Sequence, residues 1–186
     1  MFEPTRILRE EHDVILQGLE ILESVSEKLQ SREAVPADTL DSLIEFFRLF
    51  ADKTHHGKEE ALLFPAMIEK GFSREAGPIH CMLSDHEQNR ALTRQMIQAS
   101  SEYRAGDRQA GAQFAEVAYQ YVRVLREHIQ KENLVLFNMA EQVLSPQEEP
   151  ALLAKFIDVD KNQIGEAEIA RLKGILTHLQ DTVPVG

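Results

Sequence analysis

Two segments of this 186-residue chain repeat one pattern: His55-His-Gly-Lys-Glu59-Glu-Ala-Leu-Leu-Phe64 and His128-Ile-Gln-Lys-Glu132-Asn-Leu-Val-Leu-Phe137. In each segment a glutamate follows a histidine by four residues. Because a helix turns about 100° per residue, side chains four apart lie on one face, one turn from each other. The pattern therefore predicts two helices that each project one imidazole and one carboxylate in the same direction.

The repeat includes one further histidine in each half of the chain. His12 precedes His55 by 43 residues, and His86 precedes His128 by 42 residues. Each half is therefore predicted to be a helical hairpin, and the two hairpins together supply four imidazoles and two carboxylates. Two metal ions about 3.5–4 Å apart can each take two nitrogens and share both carboxylates. The sequence thus predicts a dinuclear metal site inside a bundle of four helices.

The distribution of apolar residues indicates an all-α fold. Apolar residues recur at helical spacing through four long stretches and a shorter tail, without the alternation typical of strands. The helices are predicted over residues 4–30, 37–70, 78–104 and 108–144, with a helical tail over 147–180. Long helices joined by short connections predict an antiparallel up-down four-helix bundle. We predict that residues 1–145 form this bundle and that residues 146–186 form a short helical extension packed on it.

Two adjacent histidines compete for the inward position on the second helix. On a helical wheel, His55 lies on the same face as the apolar Ile44, whereas His56 lies about 100° away. Only His55 preserves the spacing of the repeat. The wheel therefore predicts that His55 and Glu59 face the core, and that His56 and Glu60 face its flank.

The remaining histidines complete the predicted ligand set. His12, His86 and His128 share their faces with apolar residues, whereas His80 lies on another face near the start of the third helix, and His178 has no carboxylate partner in the tail. The predicted metal ligands are His12, His55, Glu59, His86, His128 and Glu132, with His56, Glu60 and His80 as alternatives.

The chemistry of these ligands indicates which metal they hold. Burying two carboxylates without cations costs several kcal/mol each, so a metal is expected between them. Imidazoles and carboxylates without a thiolate favour iron or manganese over a structural zinc ion, and the single cysteine, Cys81, faces away from His86. Tyr121 lies on the ligand face, where it either packs in the core or serves as a redox-active or gating phenol near the metals.

Composition limits the cellular locations and the classes of partner that are expected for the protein. The net charge of −11 argues against nucleic acid and anionic membrane surfaces as partners. The chain has no apolar run of about 18 residues and no signal-peptide pattern at its N-terminus, so a cytoplasmic location is expected. Residues 158–169 resemble a calcium-binding loop, but Gln163 and Ile169 occupy the positions where glycine and glutamate are required. This segment is instead predicted to be a turn between helices.

The chain resembles the hemerythrin-like, or HHE cation-binding, family over about residues 5–145. The stretches that carry the resemblance are HHGKEEALLFP, GPIHCMLSDHEQNR and REHIQKENLVLF, in that order along the chain. The resemblance implies a non-haem di-iron centre with an oxo or hydroxo bridge. The ligands it implies are His12, His55, Glu59, His86, His128 and Glu132.

The histidine count bears on function within this family. Oxygen-carrying hemerythrins use five histidines, so that one iron is saturated and the other is open, whereas the wheel brings only four to the core here. Four histidines would leave a position open on each iron, which argues against simple oxygen carriage. The expected functions are binding or sensing of oxygen or nitric oxide, a peroxidase-like, catalase-like or oxidase activity, and iron storage or an interaction role. The expected partners are these small molecules, with a homodimer as an alternative role for the tail.

Overall fold

The computed structural model describes residues 2–182, which form an all-helical bundle without strands in that range. The helices are α1 (Glu3–Gln30), α2 (residues 37–69), α3 (Gly77–Arg104), α4 (residues 108–143), α5 (residues 149–164) and α6 (Glu166–Thr182). The prediction of an all-α protein is confirmed, and the first four helices begin and end within one residue of the predicted positions. The predicted tail helix is interrupted at Gly165, whose φ of 97° favours glycine.

The helix ends follow from local chemistry. Pro4 stands in the first turn of α1, where its missing N–H leaves no hydrogen bond unmade. Asp107 precedes α4 and accepts a hydrogen bond from the backbone N–H of Gln109 at 2.8 Å. Within residues 2–182, no helix combines the length and the apolar character that crossing a bilayer requires.

Both α2 and α4 contain π-helical segments, which the sequence does not predict. The segments are Phe47–His56 and Glu59–Leu63 in α2, and Glu132–Leu136 in α4. In a π-helix each N–H bonds to the carbonyl five residues earlier, so a turn holds more than the 3.6 residues of an α-helix. The directions of side chains along these segments therefore depart from a wheel drawn at 100° per residue.

The interior is divided into two apolar clusters. The large cluster includes Ile15, Leu19, Phe46, Ala51, Leu92, Phe114, Leu125 and Ile129. The small cluster includes Leu8, Leu63, Phe64, Met82, Leu136 and Phe137. The repeat histidines and glutamates lie where the two clusters meet along their helices, so they form a polar layer with apolar side chains on both sides.

The order of the two clusters alternates from helix to helix. Along α1 the chain passes from Leu8 of the small cluster through His12 to Ile15 of the large cluster. Helix α3 follows the same order, whereas α2 and α4 pass from the large cluster to the small one. Helices α5 and α6 pack against α1 and α2, and Phe156 and Leu172 extend the small and the large cluster, respectively.

Gly18 allows α1 and α2 to approach closely, and its replacement by alanine is expected to destabilise the protein. A Cβ atom at this position would lie 2.7 Å from Cε1 of Phe46 and 3.3 Å from the ring of Phe47. Phe46 is fully buried and stacks on Phe50, so its ring has little room to move. We expect the Gly18→Ala variant to lose about 1–2 kcal/mol of unfolding free energy after the helix preference of alanine is counted.

Gly174 in α6 provides the matched control, because a Cβ atom there would meet nothing within 4 Å. The Gly174→Ala variant is expected to gain roughly 0.5–1 kcal/mol. Urea unfolding of both variants measures the difference. A Gly18→Ala variant that gained as much stability as Gly174→Ala would contradict the close approach.

Candidate metal centre

Seven side chains from four helices meet in the polar layer, and each is no more than 1% exposed. Helix α1 contributes His12, α2 contributes His55, His56 and Glu59, α3 contributes His86, and α4 contributes His128 and Glu132. The six residues predicted as ligands are therefore brought together. His56 joins them as a fifth histidine.

The seven residues form two groups, in each of which one ligand atom per residue lies within 4.8 Å of the others. One group contains His56, Glu59, His86 and His128, and the other contains His12, His55, Glu59 and Glu132. Glu59 belongs to both groups. Its two oxygens point to different imidazoles, with Oε1 lying 3.6 Å from His55 Nε2 and Oε2 lying 3.4 Å from His86 Nε2.

Glu132 has a similar bridging position. Its Oε2 lies 3.2 Å from His12 Nε2 and also 3.2 Å from His128 Nε2. Each glutamate thus lies close to one imidazole of the first group and to one imidazole of the second. This is the arrangement in which two carboxylates can be shared by two cations.

The structure corrects the prediction for His56. The wheel places this side chain on the flank, but it is 1% exposed and its ring stacks on that of His86 at 3.9 Å between centroids. The reason is the π-helical segment Phe47–His56, in which a wider turn brings two consecutive histidines to the same interior. In the second half of the repeat, Ile129 stands at the equivalent position. The site therefore has three imidazoles at one end and two at the other.

A hydrogen bond on Nδ1 orients four of the five imidazoles. His55 Nδ1 bonds to Glu11 at 2.9 Å, and His128 Nδ1 bonds to Asp85 at 3.4 Å. In both halves of the repeat, the acid just before the first histidine thus serves the second histidine. A hydrogen bond at Nδ1 fixes the tautomer and leaves Nε2 free to face the interior.

The other two bonds follow the same two-fold relation. Glu60, just after Glu59, accepts from His86 Nδ1 at 2.7 Å, and Asn133, just after Glu132, bonds to His12 Nδ1 at 2.9 Å. Glu60 is consequently an orienting residue, and it is absent from both groups above. The fifth imidazole has only a distant partner, with Asp52 Oδ1 lying 3.6 Å from Nδ1.

The pairs that orient the imidazoles are not part of the sequence-based prediction, although the sequence carries a signal for them. The repeat reads Glu11-His12 in the first half and Asp85-His86 in the second, so an acid precedes the first histidine in both. The acid cannot reach the histidine beside it on the same helix, because successive residues point about 100° apart. Its partner is a histidine of the neighbouring helix, and only the packing of the helices shows which one.

The interior of the site suits cations. The Nε2 atoms of His12 and His55 and all four carboxylate oxygens of Glu59 and Glu132 are buried without a hydrogen-bond partner among the described residues. Nε2 of His86 faces Nε2 of His128 at 3.2 Å. Buried polar atoms without partners destabilise a fold. Metal ions between them would satisfy imidazoles and carboxylates together, so the residues present fit a pair of cations.

The pKa values of the site also reflect the burial of its ionisable groups. Burial, and then the charge of Glu132, raise the pKa of Glu59 well above its usual value. Burial also lowers the pKa of His56 to about 3 and that of His55 well below 6.5. The site therefore disfavours a second negative charge and keeps these two imidazoles neutral, which is the form that binds metals.

We expect the metal-free protein to lose stability as the pH rises from 6.5 to 9.5. Burial alone would lower the pKa of His128, but the charge of Glu132 and the hydrogen bond to Asp85 raise it from 6.5 to about 9. Because the folded protein holds this proton more tightly, the stability it contributes is complete below pH 6.5 and is lost as the pH rises through 9. The loss is roughly 3 kcal/mol. Glu59, whose pKa is also raised, acts in the same direction.

Urea unfolding of chelator-treated protein at pH 6.5 and 9.5 measures this loss. The metal-loaded protein is the control, because a cation replaces the proton on His128, and its stability should change less over the same range. Equal unfolding free energies of the metal-free protein at the two pH values would contradict the expected charge on His128.

The other residues singled out in the sequence lie elsewhere. His80, Cys81 and His178 are exposed, and none belongs to either group. Tyr121 is buried, and its ring packs edge-on against Phe47 at 5.0 Å between centroids. Tyr121 therefore packs as part of the large apolar cluster.

Residues 158–169 contain the end of α5, Gly165 and the start of α6, so the predicted turn between helices is limited to Gly165. Asp158 accepts hydrogen bonds from Asn162 and Gln163. Asp160 is bonded to Lys58 of α2 at 3.0 Å. The carboxylates of this segment are thus engaged with side chains of the protein.

Comparison with known proteins places this site in a family. The uncharacterized protein Mb2018 of Mycobacterium bovis and the uncharacterized proteins MT2051 and Rv1995 of Mycobacterium tuberculosis are each 26% identical to the chain over 160 residues. The match covers 86% of this chain but only 62% of each relative, so the chain spans less than two thirds of their length. No solved structure matches the chain significantly. The model of the hemerythrin HHE cation-binding domain matches residues 3–140, which include all seven residues of the site. The chain therefore belongs to the hemerythrin HHE cation-binding family.

Proposed function

We propose that the chain holds two iron ions between its five histidines and two glutamates, and that it binds or senses a small diatomic molecule, oxygen or nitric oxide, at this centre. The observation that carries the proposal is the unequal division of imidazoles. His56, His86 and His128 serve one position, whereas only His12 and His55 serve the other. A bound iron pair would supply the electron density with which a diatomic molecule is bound.

The fifth histidine changes the functional argument from the sequence. With four imidazoles, both irons would be equivalent and the case for reversible binding would be weak. With His56 included, the position served by His12 and His55 has two imidazoles and the other position has three. Ligand binding is therefore proposed for that end of the site.

The chain's own residues support reversible binding by keeping the end served by His12 and His55 dry and rigid. The ring of Phe137 stacks on His12 at 5.4 Å between centroids, and apolar clusters lie on both sides of the polar layer. Glu11 and Asn133 hold His55 and His12 from outside. Exclusion of water limits side reactions of a bound ligand.

We also propose that α1–α4 form an antiparallel up-down bundle within residues 2–145, with residues 146–182 as an extension that covers it; residue 1 and residues 183–186 of the predicted domains lie outside the described residues. The alternating order of the two apolar clusters along α1, α2, α3 and α4 supports the antiparallel arrangement. The contacts of α5 and α6 with α1 and α2 support the role of the extension.

Metal analysis combined with visible spectroscopy tests the proposed function. We expect two irons per chain after anaerobic loading and a spectrum that changes on addition of oxygen or nitric oxide and returns when the gas pressure is lowered. Steady turnover of peroxide, without reversible gas binding, would favour a peroxide-consuming enzyme instead. Failure to retain iron would reject both functions.

Replacement of His56 separates the five-histidine site from the four-histidine prediction. We expect the His56→Ala variant to hold iron more weakly and to show an altered spectrum. The His80→Ala variant is the control, because His80 is exposed and should leave iron content unchanged. A His56→Ala variant with unaltered iron affinity and an unaltered spectrum would show that only four imidazoles bind the metals.

A further inference from the structure

A cavity of about 180 Å³ opens between α2, α3 and α4 and reaches the metal centre at His56. Its inner wall is formed by buried residues, among them His56, Asn89 and Tyr121, whereas Arg48 and Arg94 line it and are exposed. The cavity thus connects the surface with the three-histidine end of the site. It touches neither His12 nor His55, which serve the end proposed to bind the diatomic ligand.

The charges that line this cavity contrast with the rest of the chain. The protein carries a net charge of −11, yet three arginines and a single acid, Asp52, line the cavity. Arg90 is paired with Asp52 at 2.8 Å and with Glu60 at 2.7 Å. Arg48 and Arg94 form no ion pair within residues 2–182. Two guanidinium groups are therefore available to an anion.

The inner wall offers hydrogen bonds that the protein itself does not use. Asn89 is 3% exposed, and both its amide nitrogen and its amide oxygen are buried without a hydrogen-bond partner among the described residues. His56 Nδ1 is also without one. A buried amide left without hydrogen-bond partners is unfavourable, so a ligand that bonds to Asn89 would bind favourably.

We propose that this cavity binds a small oxyanion, such as formate, acetate or nitrite, next to His56. The arginines attract the negative charge, and the Asn89 amide and the His56 Nδ1–H donate hydrogen bonds to its oxygens. This anion site is separate from the end of the metal centre, served by His12 and His55, at which the diatomic molecule is proposed to bind. The proposal of an anion site therefore goes beyond the proposed function. An anion that bonds to His56 Nδ1 also replaces the distant contact of this imidazole with Asp52.

Calorimetric titration with sodium formate tests the proposal in metal-free and in iron-loaded protein. We expect saturable binding at one site per chain in both forms, because no arginine or asparagine of the cavity is among the seven residues of the centre. Absence of saturable binding in the metal-free form would overturn the proposal, including the case in which formate binds to the iron alone. The metal-free measurement stands even if the chain fails to hold iron.

Three variants make the test specific to the cavity. Arg94→Gln and Asn89→Leu are each expected to weaken formate binding about tenfold, as the loss of a charge-assisted hydrogen bond implies. Arg126→Gln is the control, because Arg126 pairs with Glu23 outside the cavity and should bind formate as the parent does. Thermal melting verifies that all three remain folded. Unchanged binding in both cavity variants, or equal weakening in the control, would overturn the proposal.

Discussion

Replacement of Glu59 by glutamine is expected to weaken the binding of the proposed pair of metal ions by more than about 100-fold, beyond the 10- to 100-fold typical of residues that only orient a ligand. Glu59 belongs to both groups of the site, with one oxygen directed at His55 and the other at His86. A glutamine retains the shape of the side chain but supplies one neutral oxygen and an NH₂ group that cannot bind a cation. Metal content after dialysis against a weak chelator measures the loss.

The same variant also shows whether a loss of metal comes from the missing ligand or from a damaged fold. In the metal-free protein, Glu59 faces the like charge of Glu132, and its pKa is raised by burial and by that charge. The Glu59→Gln variant removes the repulsion, so the metal-free variant should be no less stable than the metal-free parent in urea unfolding. If the variant loses metal and fold together, the loss of metal would reflect a damaged bundle instead of a missing ligand.

Glu60→Gln provides the graded control. Glu60 is the next residue in the chain and accepts from His86 Nδ1, but it belongs to neither group. We expect it to retain both metals with an affinity 10- to 100-fold lower, as is typical of residues that orient a ligand. Equal loss in the two variants would contradict the distinction between them.

Replacement of Lys58 by methionine is expected to destabilise the protein by about 3–5 kcal/mol. Lys58 is fully buried, where its Nζ contacts Glu11 and, at 3.0 Å, Asp160 of α5, and lies over the ring of Phe156. Methionine fills similar space but leaves the carboxylate of Glu11 buried without a cation. The pKa of Glu11, which burial already raises, should rise further. Thermal unfolding should show a fall of roughly 6–20 °C.

The internal repeat supplies a matched control for this substitution. Lys131 occupies the position equivalent to Lys58 and pairs with Asp85 at 2.6 Å, but its side chain is 43% exposed. Exposed ion pairs contribute about 0–1 kcal/mol, so Lys131→Met should change stability little. The double variant Lys58→Met, Glu11→Gln should recover part of the loss, because it removes the unpaired charge. Similar losses at Lys58 and Lys131 would show that burial by α5 has no part in the effect.

Lys58 also connects the C-terminal helices to the candidate centre. Its partner Glu11 accepts a hydrogen bond from His55 Nδ1, while Asp160 anchors Lys58 to α5. The equivalent set around Lys131, Asp85 and His128 lacks such a cover. The two halves of the repeat thus differ in burial as well as in the number of imidazoles, although the lysine and histidine are identical in both halves and the acid is Glu11 in one and Asp85 in the other.

Local sequence patterns allowed much of the molecule to be predicted. The spacing of apolar residues and the turn residues predicted the all-α class and the ends of the first four helices, because both depend on local periodicity and local breakers. The internal repeat identified six of the seven side chains that meet in the interior. These features are determined by residues close together in the chain.

The tertiary structure decided the position of His56 and the partners of the other imidazoles. A wheel assumes one period, but the backbone hydrogen bonds of α2 follow the wider π-helical pattern through His56, which turns this side chain inward. Glu11 and Asp85 reach histidines of neighbouring helices, and α5 covers Lys58 but not Lys131. Each of these features depends on contacts between distant parts of the chain. The sequence therefore determines which groups are present, and packing determines which of them meet.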